Sequence, residues 1–169
     1  MSKVRVLGVD PGLEKTGWGI IEVDGNRLSF VAAGTVITKR TDAGALRLKE
    51  IFDGLTAIVQ HYQPHAAAVE EVFVNNNARS SLKLGQARGM ALLVPALHGL
   101  DVAEYSATTI KKAVVGTGKA EKTQVSHMVK ILLPRAILQT ADTADALAVA
   151  ICHAHTLQSS ITRTKAALR

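Results

Sequence analysis

Apolar and polar positions alternate along this chain in a pattern that predicts its elements one after another. VRVLGVD, residues 4–10, is apolar and β-branched and predicts a buried strand that ends on a carboxylate, Asp10. TGWGIIEV and LSFVAAGTVIT follow, separated around DGN, a hairpin turn signal. The opening is therefore an antiparallel meander of three strands. In AGALRLKEIFDGLTAIVQHY, Leu46, Leu48, Ile51, Leu55, Ile58 and Val59 recur near helical spacing, and Pro64 stops the helix. AAAVEEVF predicts a short strand, and RSSLKLGQARGMALLVPALHGL a helix that Pro95 bends or shortens. DVAEY is a fifth strand. TTIKKAVV, then EKTQVSHMVKILL after a GTG break, then ADTADALAVAICHAHTL, are helices. Three strands, a helix, a strand, a helix, a strand and further helices predict an α/β fold: a mixed five-stranded sheet, meander first, flanked by helices.

At 169 residues the chain predicts one domain. We place it at residues 1–157, followed by a basic tail, 158–169, which carries Arg163, Lys165 and Arg169 without an acid and is expected to be disordered or to rest on nucleic acid. With only three Phe, two Tyr and one Trp, the aliphatic residues must fill the core. Twenty Lys and Arg against fourteen Asp and Glu leave a net charge of +6, which makes a polyanion the leading class of partner. A single cysteine, Cys152, excludes an internal disulfide and suits a reducing cytoplasm. No signal-peptide pattern and no apolar run near the ~18 residues of a membrane span occur, so a soluble cytoplasmic protein is expected.

The carboxylates carry the candidate chemistry. Asp10 stands at the carboxyl end of the first strand, where sites gather in open α/β sheets. An Asp that merely opens the turn at Pro11-Gly12 is the plainer alternative. Glu70 and Glu71 close the fourth strand and point to opposite faces, so only one can join Asp10, and parity alone does not say which. Asp142 and Asp145 share a helical face that continues into Val149 and Cys152. Acids favour a first helical turn, which accounts for Asp142 by itself, but Asp145 lies deeper and beside apolar packing is costly without a cation. Carboxylates without paired His or Cys ligands select hard ions such as Mg²⁺ or Mn²⁺. Two such ions serve in-line phosphodiester cleavage. Gly8 and Gly12 are expected to leave backbone room for a phosphate. KKAVVGTGKAEK gathers Lys111, Lys112, Lys119 and Lys122 around a glycine break, but it lacks the Walker A spacing. Phe73, in the polar run FVNNNARSS, is either a base-stacking aromatic or an ordinary core residue. Arg79, Lys83 and Arg88 add basic charge after it.

LGVDPGLEKTGWGII, VEEVFVNNNARSSLKLGQARG, VVGTGKAEKTQVSHMV and ADTADALAVAICHAH together resemble the RuvC family of Holliday junction resolvases, in consistent order from about residue 4 to residue 157. The resemblance implies an RNase H-like fold, a homodimer, Mg²⁺ (two ions per subunit, replaceable by Mn²⁺), four-way junction DNA as substrate and the RuvA–RuvB machinery as partner. It assigns Asp10, Glu70, Asp142 and Asp145 as catalytic, metal-holding carboxylates, and it selects Glu70 over Glu71. Some relatives carry His at the position of Asp142, which ties that residue less strictly to metal. Phe73 is implied as the aromatic that stacks on a base at the crossover, and Lys111 and Lys122 as phosphate-contacting or catalysis-supporting groups. Trp18 stands where the family often has Tyr and reads as core. An actin-like ATPase, which also opens on a strand ending in Asp-x-Gly, needs a second domain that one short chain lacks. An RNase H-like nuclease with another substrate, or a noncatalytic DNA-binding relative, are the alternatives.

Overall fold

The structure, a computed structural model, describes residues 3–71 and 76–167. Strands β1 (Val4–Asp10), β2 (Lys15–Asp24), β3 (Arg27–Ile37), β4 (Ala66–Glu70) and β5 (Val102–Tyr105) form one sheet in the order β3-β2-β1-β4-β5. β1, β2 and β3 pair antiparallel, while β4 and β5 join parallel to β1. The expected meander and mixed sheet are present. Helices α1 (Gly44–Tyr62) and α2 (Ala78–Leu97) cover one face, α3 (Ala107–Val115), α4 (Lys122–Leu132) and α5 (Ala141–Ala167) the other.

Because both faces are covered, the central strands are apolar on both sides. Val6 packs toward α5, and Leu7 and Val9 toward α1 and α2. Ile51, Leu55, Ile58 and Val59 form the buried stripe of α1; Leu46, counted in that stripe from spacing, is 57% exposed. Gln63 adopts the left-handed conformation (φ 48°) and ends α1 one residue before Pro64. Pro95 sits in the last turn of α2, and the chain leaves the helix at His98. α5 does not stop at 157 but continues helical to Ala167, through residues expected as a tail.

α5 lies unusually close to the sheet. A Cβ added at Gly8 would fall 2.2 Å from the Ala146 carbonyl oxygen and 2.6 Å from the Ala150 nitrogen. One at Gly17 would fall 2.2 Å from the Asp142 carbonyl oxygen, and one at Gly19 would strike Leu147. The space above Gly8 is therefore filled by a helix and not kept for a phosphate, and a Cβ at Gly12 would meet the carbonyl of Lys15 inside its own turn. Gly8 serves packing, which corrects the expectation from sequence at that position, and Gly12 closes its turn. Trp18 is half-buried, its indole lying over Gly34 and 5.7 Å from the Tyr62 ring, as a core-edge aromatic should. Cys152 is buried, and burial pushes its thiol up to about 11, so it is inert. Among the described residues, no helix is long and apolar enough to cross a membrane.

Candidate active site

Register decides which carboxylates meet. Val9 of β1 pairs with Val69 of β4, and both belong to the core beneath α1 and α2. The next residue on each strand turns to the opposite face. Asp10 and Glu70 are therefore neighbours at adjoining strand tips, on the face covered by α5. Glu71 is exposed, and its backbone N–H donates to the Tyr105 carbonyl. The parity that sequence left open is settled by this register in favour of Glu70.

α5 brings the third carboxylate. Thr140 caps the helix: its Oγ1 accepts from the Thr143 N–H at 3.2 Å, and its carbonyl from the Ala144 N–H. The Asp142 backbone then rests on Gly17, the cross-strand partner of Asp10. One turn later Asp145 enters a cavity of about 190 Å³ together with Asp10 and Glu70. Asp142 does not line that cavity, but its charge acts on Asp10 from the side.

Two lysines complete the wall. Lys122 is the first residue of α4, whose start is set by a capping box between Glu121 and Gln124. Its Nζ lies 3.2 Å from Asp145 Oδ2. Lys111, on α3, lines the same cavity and lowers the cost of charge on Glu70. Lys112 and Lys119 are exposed and do not line it. His153 and His155 do not converge here: His153 meets the Tyr105 hydroxyl at 2.8 Å, and His155 lies 3.2 Å from the Ala113 carbonyl.

The electrostatics follow from the crowding. Burial, then the charges of Glu70 and Asp145, push the Asp10 carboxyl up to about 8. Burial also raises Glu70, although a hydrogen bond from Asp10 and the two lysines oppose the rise. The crowding thus favours the neutral form of Asp10 beside Glu70, while Asp145 pairs with the Lys122 ammonium. Among the described residues, no three acidic, histidine or cysteine side chains stand as a closed cage for an ion. The donor chemistry nevertheless fits a hard divalent cation: three carboxylates face one cavity, and such an ion would offset the repulsion that Lys111 and Lys122 relieve only in part.

Phe73 lies outside the described residues. Arg79 and Lys83 are exposed on the first turns of α2, away from the carboxylate cavity. Arg88 does not add free charge, because it pairs with Glu104 of β5. Sequence gave no reason to single out Arg40 and Arg47, yet with Lys83 they line a second cavity beside the loop that follows Asp10. They sit before and inside the first turn of α1, and no local motif marks them.

Known proteins match this architecture. The family described as "Crossover junction endodeoxyribonuclease RuvC" matches residues 6–153. A curated protein of that name from Sinorhizobium medicae is 54% identical over 163 residues, covering 96% of this chain and 98% of its own length. One from Sinorhizobium fredii is 55% identical, with 96% of each chain covered. Among solved structures, the Thermus thermophilus RuvC in complex with a Holliday junction substrate superposes with a TM-score of 0.87 at 29% identity, covering 93% of this chain and 96% of that one. The free form of the same protein gives a TM-score of 0.85 at 28% identity, with 93% and 97% covered. The five-stranded mixed sheet between two helical layers is thus the RNase H-like fold of those structures, and this chain belongs to the RuvC family of crossover junction endodeoxyribonucleases.

Proposed function

We propose that this chain is a structure-selective endonuclease that resolves four-way DNA junctions by paired symmetric nicks, in recombination and repair in the cytoplasm. The observation that carries the reading is the single cavity in which Asp10, Glu70 and Asp145 face Lys111 and Lys122 at the carboxyl ends of β1 and β4. Asp10, Glu70 and Asp145 would hold Mg²⁺, two ions per subunit and replaceable by Mn²⁺, with Asp142 adding charge beside them. When bound, such ions activate a water for in-line attack on the scissile phosphate and stabilise the departing 3′ oxygen. The protein's part would be to hold these carboxylates together for the cation. Lys122, beside Asp145, would offset charge on the phosphate, and Lys111 would orient the strand from the α3 wall. Phe73, three residues after Glu70, is the residue we assign to stacking on a base at the crossover.

A homodimer matches the two equivalent strands of a junction. Its support in this chain is the exposed side of α2, where Leu82, Leu93 and Leu97 are 70%, 43% and 62% exposed and Gly85 and Gly89 leave open space for a close second backbone. RuvA–RuvB is the partner that delivers the junction in this reading.

The test is a substrate panel. Purified protein with Mg²⁺ is given a four-way junction, a flap, an RNA–DNA hybrid and a linear duplex. Paired nicks restricted to the junction are expected, from a species of about twice 17.9 kDa by light scattering. Equal cutting of linear duplex or hybrid would overturn the assignment of substrate.

A further inference from the structure

The loop that follows Asp10 is anchored to a second basic site. Thr16 Oγ1 donates to the Gly12 carbonyl at 2.7 Å, and Thr38 Oγ1 donates to the Leu13 carbonyl at 2.6 Å. Thr38 N–H also donates to the Glu14 carbonyl at 2.9 Å. Both threonines are buried, so the loop is held at each end. Arg47 Nε donates to Thr38 Oγ1 at 2.9 Å, which ties a guanidinium to that same anchor. Arg47, Arg40 and Lys83 then line a cavity of about 510 Å³ together with Glu14.

Three cations face one carboxylate there. Arg40 places Nε and an Nη 2.8 and 2.7 Å from the same Glu14 oxygen. That hydrogen bond holds the Glu14 carboxyl below its ordinary range, so it stays charged. Among the described residues, Glu14 is the one acid lining this cavity against Arg40, Arg47 and Lys83, so the cavity carries an excess of positive charge beyond the Glu14–Arg40 pair.

Its position matters as much as its charge. The carboxylate cavity opens on the α3–α4–α5 layer, whereas this one is built from the start of α1 and the first turns of α2, on the other layer. Both lie at the end of the sheet where β1, β3 and β4 finish, with the Asp10–Glu14 loop between them. A strand whose phosphate sat among Asp10, Glu70 and Asp145 would have to cross that loop to reach the second cavity.

We propose that the Arg40–Arg47–Lys83 cavity is a second phosphate site, which takes the backbone of the nucleic-acid arm leaving the carboxylate cleft, and that Glu14 is its built-in competitor. The inference rests on the nuclease reading above and adds a location and a control to it. Glu14 occupies Arg40 as a stand-in anion. A phosphodiester displaces it, and the cost of breaking the pair weakens binding to nucleic acid that does not reach both cavities.

Binding is measured by fluorescence anisotropy on a labelled four-way junction, without divalent ions, across a salt series. Arg40→Ala and Lys83→Ala change exposed side chains, and each should make the plot of log K against log salt shallower by about 0.9, one phosphate contact. Glu14→Gln should tighten binding about two- to fivefold, the equilibrium equivalent of an exposed ion pair. In the Arg40→Ala background, the same change should tighten binding markedly less, because only Glu14's longer-range charge on neighbours such as Arg47 is then relieved. Asp53→Asn, which removes an equal charge from the Lys49 pair on α1, should leave affinity within error. Arg40→Lys, which keeps the charge, should retain the slope and guards against a folding artefact. If Arg40→Ala and Lys83→Ala leave the slope unchanged while wild type binds and nicks junctions, the second site is wrong and the nuclease reading stands. If Glu14→Gln tightens binding equally with or without Arg40, the competitor role is wrong. If wild type binds no junction at all, the nuclease reading itself fails.

Discussion

Lys122 Nζ sits 3.2 Å from Asp145 Oδ2, at the mouth of the cavity that also holds Asp10 and Glu70. Asp145 first, and then Asp10 and Glu70, hold the Lys122 ammonium in its charged form and raise its pKa above the usual lysine value. Its side chain is 78% exposed, so the pair alone contributes little to stability. A cation so placed, yet of little structural value, suits the phosphate chemistry proposed above.

Lys122→Ala should therefore lower nicking by about 10²–10³, the scale of losing one charged group that stabilises a developing anion. Melting temperature should stay within a few degrees of wild type. Single-turnover cleavage on a preassembled junction complex separates this from a binding defect. Loss confined to affinity, with the cleavage step intact, would make Lys122 a phosphate contact only.

Asp145→Asn should abolish nicking and keep junction binding. The amide cannot balance a cation's charge, whereas binding rests on phosphate contacts made elsewhere. Anisotropy in metal-free buffer and a nicking assay in Mg²⁺ read the two properties independently. Near-normal nicking would remove Asp145 from the metal site.

Asp10 gives a pH prediction whose sign follows from its raised carboxyl. In the unfolded chain the group releases its proton near 3.8, but in the folded protein it keeps it to about 8. The stability this group contributes is complete below the lower value and is lost as pH rises through the window between them. Metal-free Asp10→Asn should therefore melt higher than wild type at pH 8, by about 2–4 °C for each kcal/mol relieved in a chain of this size, and the gap should close toward pH 4. Mg²⁺ should raise the melting temperature of wild type and not of the variant. Thermal melts in EDTA at several pH values check this, and a gap that does not change with pH would contradict it.

Gly8→Ala tests how α5 carries its acids to the sheet. The added Cβ would fall 2.2 Å from the Ala146 carbonyl oxygen, and backbone on both sides leaves it nowhere to go. The helix must lift, at a cost of about 1–3 kcal/mol or more. Because Asp145 rides one residue before Ala146, nicking should fall further than the loss of folded protein accounts for. Full specific activity of the folded fraction would show that the close contact serves stability alone.

How legible was all this in the chain itself? The elements were, because each is written locally: β-branched runs around DGN make a hairpin, and helical spacing of Ile51, Leu55, Ile58 and Val59 makes a covered helix. Asp10, Asp142 and Asp145 could be singled out for the same reason, since each interrupts an apolar pattern. The motifs added what spacing did not, the choice of Glu70. Hydropathy could not make that choice, because β4 is buried on both faces and its alternation shows no inner side. Only the pairing of Val9 with Val69 turns Asp10 and Glu70 to the same face. Likewise nothing local marks Gly8 and Gly17 as close-packed, and only the contact with α5 shows that they are. The assembly of Arg40, Arg47 and Lys83 beside Glu14 was invisible for the most general reason. Their neighbourhood is made by β3, α1 and α2 converging at one end of the sheet, and distances between separate elements are set by tertiary packing, which no local pattern records.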